Sequence, residues 1–250
     1  MKIDYAIVSS DSNPFYLDFW QVISKMWFLK FNIMPFLIYI DEKDTKIDST
    51  YGIVEKWKPV KDVPIYLQCL WSRYWYPITK PDKVSIISDI DMLPLSRWYY
   101  QGQIENIPDD KHVHINPCIE SYGSIPSCYH IARGDTYKKT FELPDSWEES
   151  VTAIHNSGLG SNPGGHLEGK TDWFADERYA TNMMQKNSSD VVLIPRNEGQ
   201  NGFRIDRPNW TYNPNVIHDD YYYDSHSIRP FSQYSEEIMK ICNLSLYGRY

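Results

Sequence analysis

The sequence predicts a mixed α/β domain in which helices flank a central and largely parallel sheet. Runs of apolar and β-branched residues, typical of buried strands, occur at 5–10, 35–41 and 84–88. Segments with apolar residues at helical spacing lie between them, at 14–27 and 64–76. The chain has 250 residues, of which 42% are hydrophobic and only 12 are glycine, so we expect one domain over residues 1–250.

The first strand leads into a helix whose start is marked by Asn13, a residue type that caps helices, and by Pro14 at the first helical position. Strand, helix and strand at the start of a chain are typical of a Rossmann-like nucleotide-binding half. No glycine-rich phosphate loop follows the first strand, which argues against an NAD site and a P-loop. Ser9, Ser10 and Asp11 instead occupy the place where a nucleotide base or ribose would be held.

The composition of the chain argues against some classes of binding partner. The formal net charge of -8 and the lack of a long basic stretch argue against nucleic acid. No signal-peptide pattern opens the chain and no apolar run reaches membrane-spanning length, so we expect a soluble or cytoplasmic protein without a transmembrane segment. The cysteines lack metal-ligand spacing and are expected to be reduced: Cys69, Cys118, Cys128 and Cys242.

Two carboxylates, Asp89 and Asp91, follow the apolar strand at 84–88. Ligands of open α/β sheets bind outside the carboxyl ends of the strands, which is where these acids fall. Because residues i and i+2 of an extended segment point to the same side, both carboxylates could face one hard cation, and that cation could carry a diphosphate. The alternative interpretation is a solvated turn after a strand.

A helix that carries Arg73 precedes this strand, and in this order the chain resembles the metal-dependent nucleotide-sugar glycosyltransferases of the GT-A fold. The resemblance implies a GT-A, Rossmann-like α/β domain with a mostly parallel mixed sheet. It also implies that Mn²⁺ or Mg²⁺ is held by Asp89 and Asp91, and that Arg73 pairs with a phosphate or a carboxylate. An exposed acid as the partner of Arg73 is the alternative.

An acidic and aromatic cluster follows at 171–179, where a helix is expected to begin, with Asp172, Trp173, Asp176 and Glu177 among its members. Glycosyltransferases of the resembled fold carry an acidic motif at this point, which implies a catalytic role for Asp176 and Glu177. The alternative is that these acids only interact with the helix macrodipole. The glycine-rich segment before it, 158–169, is expected to form a loop over a bound donor.

The late segment with His226, Arg229 and Pro230 is similar to the closing motif of family-8 glycosyltransferases, and small virus-encoded glycosyltransferases also resemble the chain. The resemblance implies that His226 completes the metal shell and that Arg229 meets the diphosphate. His218, which two acids follow, remains a competing ligand. Two further histidines at 112 and 114 alternate onto one strand face and are expected to be ordinary, partly exposed strand residues.

The expected function is metal-dependent transfer of a sugar from a nucleotide diphosphate sugar, first of all a UDP-sugar, to a hydroxyl acceptor on a glycan or glycoprotein. Retention or inversion at the anomeric carbon stays open. One alternative is a haloacid-dehalogenase-type phosphatase with Asp89 as nucleophile and Asp91 beside it, although Leu93 stands where that family has a small hydroxyl residue. The other is a non-catalytic carbohydrate-binding module, which the 20 tyrosines and 9 tryptophans suggest.

Overall fold

The structure, a computed structural model, describes residues 1–115, 123–160, 173–195 and 203–248. Its strands are β1 (Tyr5–Ser10), β2 (Met34–Ile40), β3 (Ile53–Trp57), β4 (Val84–Ile87), β5 (Met92–Pro94), β6 (His112–Ile115), β7 (His130–Arg133), β8 (Val191–Ile194), β9 (Phe203–Asp206) and β10 (Tyr222–His226). Its α-helices are α1 (Pro14–Leu17), α2 (Trp20–Lys25), α3 (Ile65–Trp75), α4 (Arg97–Tyr100), α5 (Gly134–Phe141), α6 (Trp147–Asn156), α7 (Ala175–Lys186) and α8 (Phe231–Tyr247).

A seven-stranded mixed sheet forms the centre, with the strand order β3-β2-β1-β4-β7-β6-β8. The first four strands in this order are parallel, β7 is antiparallel to β4 and to β6, and β8 runs parallel to β6. The predicted α/β class and its mixed, helix-flanked sheet are therefore confirmed. Because β1 and β4 are parallel neighbours, their carboxyl ends lie side by side.

Helices cover both faces of this sheet, and successive side chains of β1 point to opposite faces, as a strand requires. Ala6 and Val8 pack in one core, together with α2 and α8. Ile7 packs in the other, together with α3, α5, α6 and α7. The predicted helix over 14–27 is divided into α1, α2 and a π-helical turn, Met26–Lys30. Within the described ranges, no helix has the length and apolar character needed to cross a bilayer.

A second, three-stranded sheet with the order β5-β10-β9 was not predicted. Strand β10 is antiparallel to β5, with His226 opposite Met92, and parallel to β9, with His226 opposite Asp206. The backbone N–H of Ser227 donates to the carbonyl of Asp91 at 2.9 Å. This small sheet therefore joins the end of the chain to the acidic pair.

Two local predictions are wrong. Asp89 and Asp91 do not continue β4 as an extended segment, because the N–H of Met92 bonds the carbonyl of Asp89 at 3.1 Å and closes a turn. His112 and His114 are not partly exposed but completely buried. They lie on the face of β6 that packs under α5, where aromatic neighbours exclude water.

Candidate active site

A cavity of about 240 Å³ lies at the carboxyl ends of β1, β4, β9 and β10 and is closed on one side by the first turn of α7. The residues that the sequence predicted for catalysis, donor binding or metal binding all line it: Ser9, Asp11, Arg73, Asp89, Asp91, Asp176, Glu177, His226 and Arg229. Motifs as far apart in the chain as β1 and β10 thus meet in one place, although the two strands belong to different sheets.

The turn after β1 and the helix α3 form one part of the wall. Ser9 Oγ donates to the carbonyl of Cys69 at 2.5 Å, and Asp11 Oδ1 accepts from the N–H of Asn13 at 3.0 Å. Tyr66 and Trp173 face each other nearby, with ring centroids 5.8 Å apart. Ser9 and Asp11 are therefore fixed by local hydrogen bonds, and an aromatic pair lies beside them.

Arg73 lies between the two acidic motifs and is almost completely buried. Its guanidinium donates to Asp89 and to the carbonyl of Ser88, the latter at 3.1 Å, and Nη2 lies 3.8 Å from Oδ2 of Asp176. Burial by itself would lower the pKa of Arg73, but the charges of Asp89 and Asp176 raise it above its ordinary value. Arg73 is therefore a permanent cation with two acid partners, the partly exposed Asp89 and the buried Asp176.

Asp91 is 4% exposed and has two arginines at the same carboxylate oxygen. Arg207 Nη2 donates to Oδ2 of Asp91 at 2.9 Å, and Arg229 Nε lies 3.5 Å from that oxygen. Arg207 Nη2 also contacts Nε2 of His226, whose Nδ1 lies 3.0 Å from Oδ1 of Asp206. Sequence reasoning missed Arg207, because its relation to Asp91 depends on the pairing of β5, β10 and β9.

The imidazole of His226 is oriented by its second ring nitrogen. With Nδ1–H donating to Asp206, Nε2 keeps its lone pair toward the cavity, which is the tautomer that a metal ligand needs. Burial alone would lower the pKa of His226, but the hydrogen bond to Asp206 and the charge of Asp91 raise it. His218, the competing ligand, is exposed and does not line the cavity.

The position of the Arg207 guanidinium indicates whether Asp91 and His226 could bind a divalent cation. Its guanidinium nitrogen is a cation in contact with both Asp91 and His226, so this carboxylate and imidazole converge on one position that favours positive charge. Oxygen and imidazole nitrogen ligands suit Mn²⁺, and such ions are bound by one or two carboxylates plus phosphates of the substrate. Asp89 is held by Arg73, and within the described part of the chain no three His, Cys, Asp or Glu side chains form a metal site on their own.

Asp176 and Glu177 lie in the first turn of α7, where Asp176 is buried and Glu177 is partly buried. Asp176 accepts from Ser127 Oγ, while Glu177 accepts from Ser124 Oγ at 3.1 Å and from the N–H of Ser127 at 3.4 Å. Burial raises the pKa of Asp176, although Arg73 opposes this, and burial together with the charge of Asp176 raises the pKa of Glu177 to about 7. Glu177 can therefore take or give a proton near neutral pH.

Two atoms of this wall lack a hydrogen-bond partner among the described residues. They are Nη2 of Arg73 and Oδ1 of Asp176, both buried. Buried polar atoms are normally hydrogen-bonded, so a donor and an acceptor without partners mark a place for a polar ligand. Arg229 completes the opposite wall, with its guanidinium carbon 4.8 Å from the ring centre of Phe15 and 5.1 Å from that of Tyr16.

Some predictions fall outside the described residues, namely those on Asp172, on Cys118 and on most of the glycine-rich segment at 158–169. The other cysteines, Cys69, Cys128 and Cys242, are free thiols and buried. Comparison of the chain with protein-family models and with curated protein sequences finds no match. The geometry of the cavity therefore carries the functional argument.

Proposed function

We propose that this protein is a metal-dependent glycosyltransferase of the GT-A type, which moves a sugar from a nucleoside diphosphate donor to a hydroxyl of a glycan or glycoprotein. A UDP-sugar is the first donor to test. The observation that carries the proposal is that one cavity combines a cationic wall suited to a diphosphate with a buried acid pair suited to sugar chemistry. Neither feature alone would indicate glycosyl transfer.

The cationic wall consists of Arg207 and Arg229 around Asp91, with Arg73 behind Asp89. Guanidinium groups bind phosphate oxygens through charge-assisted hydrogen bonds. Asp91 and His226 are the residues that would hold Mn²⁺ or Mg²⁺, with Asp89 as the further carboxylate of this wall. The bound cation would supply neutralisation of the charge that develops on the departing nucleoside diphosphate.

The turn after β1 offers hydrogen-bonding groups for the nucleoside, and the rings of Tyr66 and Trp173 offer apolar faces for a base or a sugar. Arg73 Nη2 and Asp176 Oδ1 supply one donor and one acceptor to sugar hydroxyls. In an inverting reaction Glu177 would draw the proton from the acceptor hydroxyl, because its pKa of about 7 is matched to that task. In a retaining reaction the same carboxylate would stabilise positive charge at the anomeric centre.

The alternative functions account for less of the cavity. A phosphatase of the haloacid-dehalogenase type needs Asp89 as a free nucleophile, whereas Oδ1 of Asp89 accepts a hydrogen bond from the buried Arg73. A carbohydrate-binding module would use the aromatic pair, but it has no need for a carboxylate and an imidazole that converge on one cation. Release of phosphate from a generic phosphomonoester, or sugar binding without nucleotide and metal, would favour these alternatives respectively.

Isothermal titration with UDP tests the proposal. We expect UDP to bind in the presence of Mn²⁺ and to lose most of its affinity in EDTA, because the diphosphate faces two carboxylates. Asp91→Asn and His226→Ala should both reduce the Mn²⁺-dependent part of binding, whereas His218→Ala, outside the cavity, should not. Binding of UDP that is equally tight in EDTA would contradict the metal assignment, and no binding of any nucleotide sugar in a thermal-shift panel would contradict the proposed function.

A further inference from the structure

Diphosphate binding alone does not account for the position of Arg207, which contacts both Asp91 and His226. It follows β9 directly, and the pairing of β9 with β10 places it over the end of the strand that carries His226. Its Nη2 lies 2.9 Å from Oδ2 of Asp91, a residue 116 positions away in the chain, and also contacts Nε2 of His226. One side chain thus engages both protein atoms that face the cation position.

The electrostatic reason for this arrangement lies in Asp91. Its carboxylate is almost completely buried, and a buried carboxylate without a cationic partner is strongly unfavourable. Asp206 binds the far nitrogen of His226, so Nε2 also presents a lone pair that needs a donor. The guanidinium of Arg207 donates to Asp91 and lies in contact with Nε2 of His226.

We propose that Arg207 and a divalent cation exclude one another at the Asp91 and His226 pair, so that Arg207 holds the pair until the cation displaces it. This inference rests on the proposed function, since it concerns the metal position of that site. The exclusion is geometric and electrostatic. A cation within bonding distance of both ligand atoms takes the space of Nη2 of Arg207, and two positive groups in direct contact repel.

Arg229 provides a matched comparison. It lies near the same oxygen of Asp91, at 3.5 Å, but its guanidinium rests against Phe15 and Tyr16 and it makes no contact with His226 among the described interactions. Removal of either arginine takes away one positive charge near Asp91. Only removal of Arg207 also vacates the position between Asp91 and His226. Comparison of the two variants therefore distinguishes the effect of an occupied cation position from the effect of one positive charge near Asp91.

The test titrates the nucleotide-free 250-residue chain with Mn²⁺ alone and follows the electron paramagnetic resonance signal of the free ion. Apparent affinity falls by the fraction of molecules that are competent to bind, so Arg207→Gln should tighten Mn²⁺ binding about tenfold if Arg207 holds the pair for about nine-tenths of the time. Arg229→Gln should tighten it by much less. Arg207→Lys keeps the charge but loses the planar fork, so its affinity for Mn²⁺ should lie between those of Arg207→Gln and the parent. This variant replaces Arg207→Gln in the test if the glutamine variant does not fold.

Three results would overturn the inference: unchanged or weaker Mn²⁺ binding by Arg207→Gln, equal tightening by Arg207→Gln and Arg229→Gln, or no Mn²⁺ binding by any variant. The titration contains neither nucleotide nor sugar. Selective tightening by Arg207→Gln in a protein that transfers no sugar would therefore support the inference and reject the proposed function. Sugar transfer by a protein whose Mn²⁺ affinity does not change in Arg207→Gln would support the proposed function and reject the inference.

Discussion

The guanidinium Nη2 of Arg73 lies 3.8 Å from Oδ2 of Asp176, and both side chains are almost completely buried. The contact links α3, which leads into the acidic turn, to the first turn of α7, which carries the acid pair. Through Arg73 the charge of Asp176 is tied to that of Asp89, which Arg73 also holds. Asp176 is therefore largely committed to this ion pair, and Glu177 is the acid of the pair that remains for proton transfer.

Replacement of Arg73 by Met should destabilise the fold. The variant leaves Asp176 buried without its cation, and removal of one partner of a buried pair costs about 3–5 kcal/mol. The double variant Arg73→Met with Asp176→Asn should recover part of the loss, because it removes the uncompensated charge. Urea unfolding at pH 7 measures both. A decrease of less than about 1 kcal/mol in the free energy of unfolding of Arg73→Met would mean that the pair stabilises the fold no more than an exposed ion pair does.

Glu177→Gln should separate binding from chemistry. UDP and Mn²⁺ affinity should change little, whereas transfer should fall by ~10²-fold or more if a general base is lost. A base acts in its deprotonated form, so kcat/KM of the parent, which reports groups of the free enzyme, should rise with pH through about 7, and this rise should be absent from the variant. Transfer by Glu177→Gln at the parent rate would reject Glu177 as the base. The matched comparison is Asp176→Asn, which we expect to change stability more than the pH profile.

The raised pKa of Glu177 also predicts a stability effect with a definite sign. The folded protein keeps a proton on Glu177 that the unfolded chain releases between about pH 4.5 and 7, so this group lowers stability as pH rises through that window. Glu177→Gln should therefore be more stable than the parent at pH 8, with a smaller difference at pH 5. Chemical denaturation at the two pH values checks this, and an equal difference at both would contradict the assigned pKa.

Arg229→Ala should weaken donor binding by on the order of 1.5–3 kcal/mol, because the variant removes a charge-assisted contact to the diphosphate. Titration with UDP in saturating Mn²⁺ gives the value. Arg133→Ala, which removes a surface arginine paired with Asp135 away from the cavity, controls for net charge and should leave UDP affinity unchanged. Equal losses in the two variants would indicate a general effect of charge.

Three buried histidines should make the protein sensitive to acid. His112 Nε2 lies 3.1 Å from His130 Nδ1, and His130 Nε2 lies 3.2 Å from the hydroxyl of Tyr74. Burial lowers the pKa of His112 to about 3 and that of His114 to about 4, and it holds the pKa of His130 well below its ordinary value. All three are therefore neutral in the folded protein at pH 7.

The sign follows from the protons that each state binds. Below about pH 6.5 the unfolded chain binds protons at these histidines and the folded protein does not, so each one lowers the free energy of unfolding by roughly 1.4 kcal/mol per pH unit as pH falls toward 4. In His112→Phe the free energy of unfolding should fall less steeply between pH 6 and 4.5, by about the contribution of one histidine. An unchanged slope in His112→Phe would contradict the neutral, buried assignment.

Local pattern in the sequence was sufficient for the elements that position the site. The buried strand at 84–88, the helix with Arg73 and the helix start at Asp176 are each encoded by residues close together in the chain, and the structure has all three. Because parallel strands place their carboxyl ends at one edge, Ser9, Asp11 and Asp89 meet at one cavity, whereas His226 and Arg229 reach it through the second sheet, which was not predicted.

Only the tertiary structure decided how those residues are paired. Arg207 reaches Asp91 through the pairing of β5, β10 and β9, a contact between residues 116 positions apart that no local pattern encodes. The sequence predicted a helix that carries Arg73, but the burial of Arg73 between Asp89 and Asp176 depends on packing against α7. Local sequence sets which side chains reach an edge of the sheet, whereas charge pairing and pKa depend on desolvation and on neighbours brought together by long-range contacts.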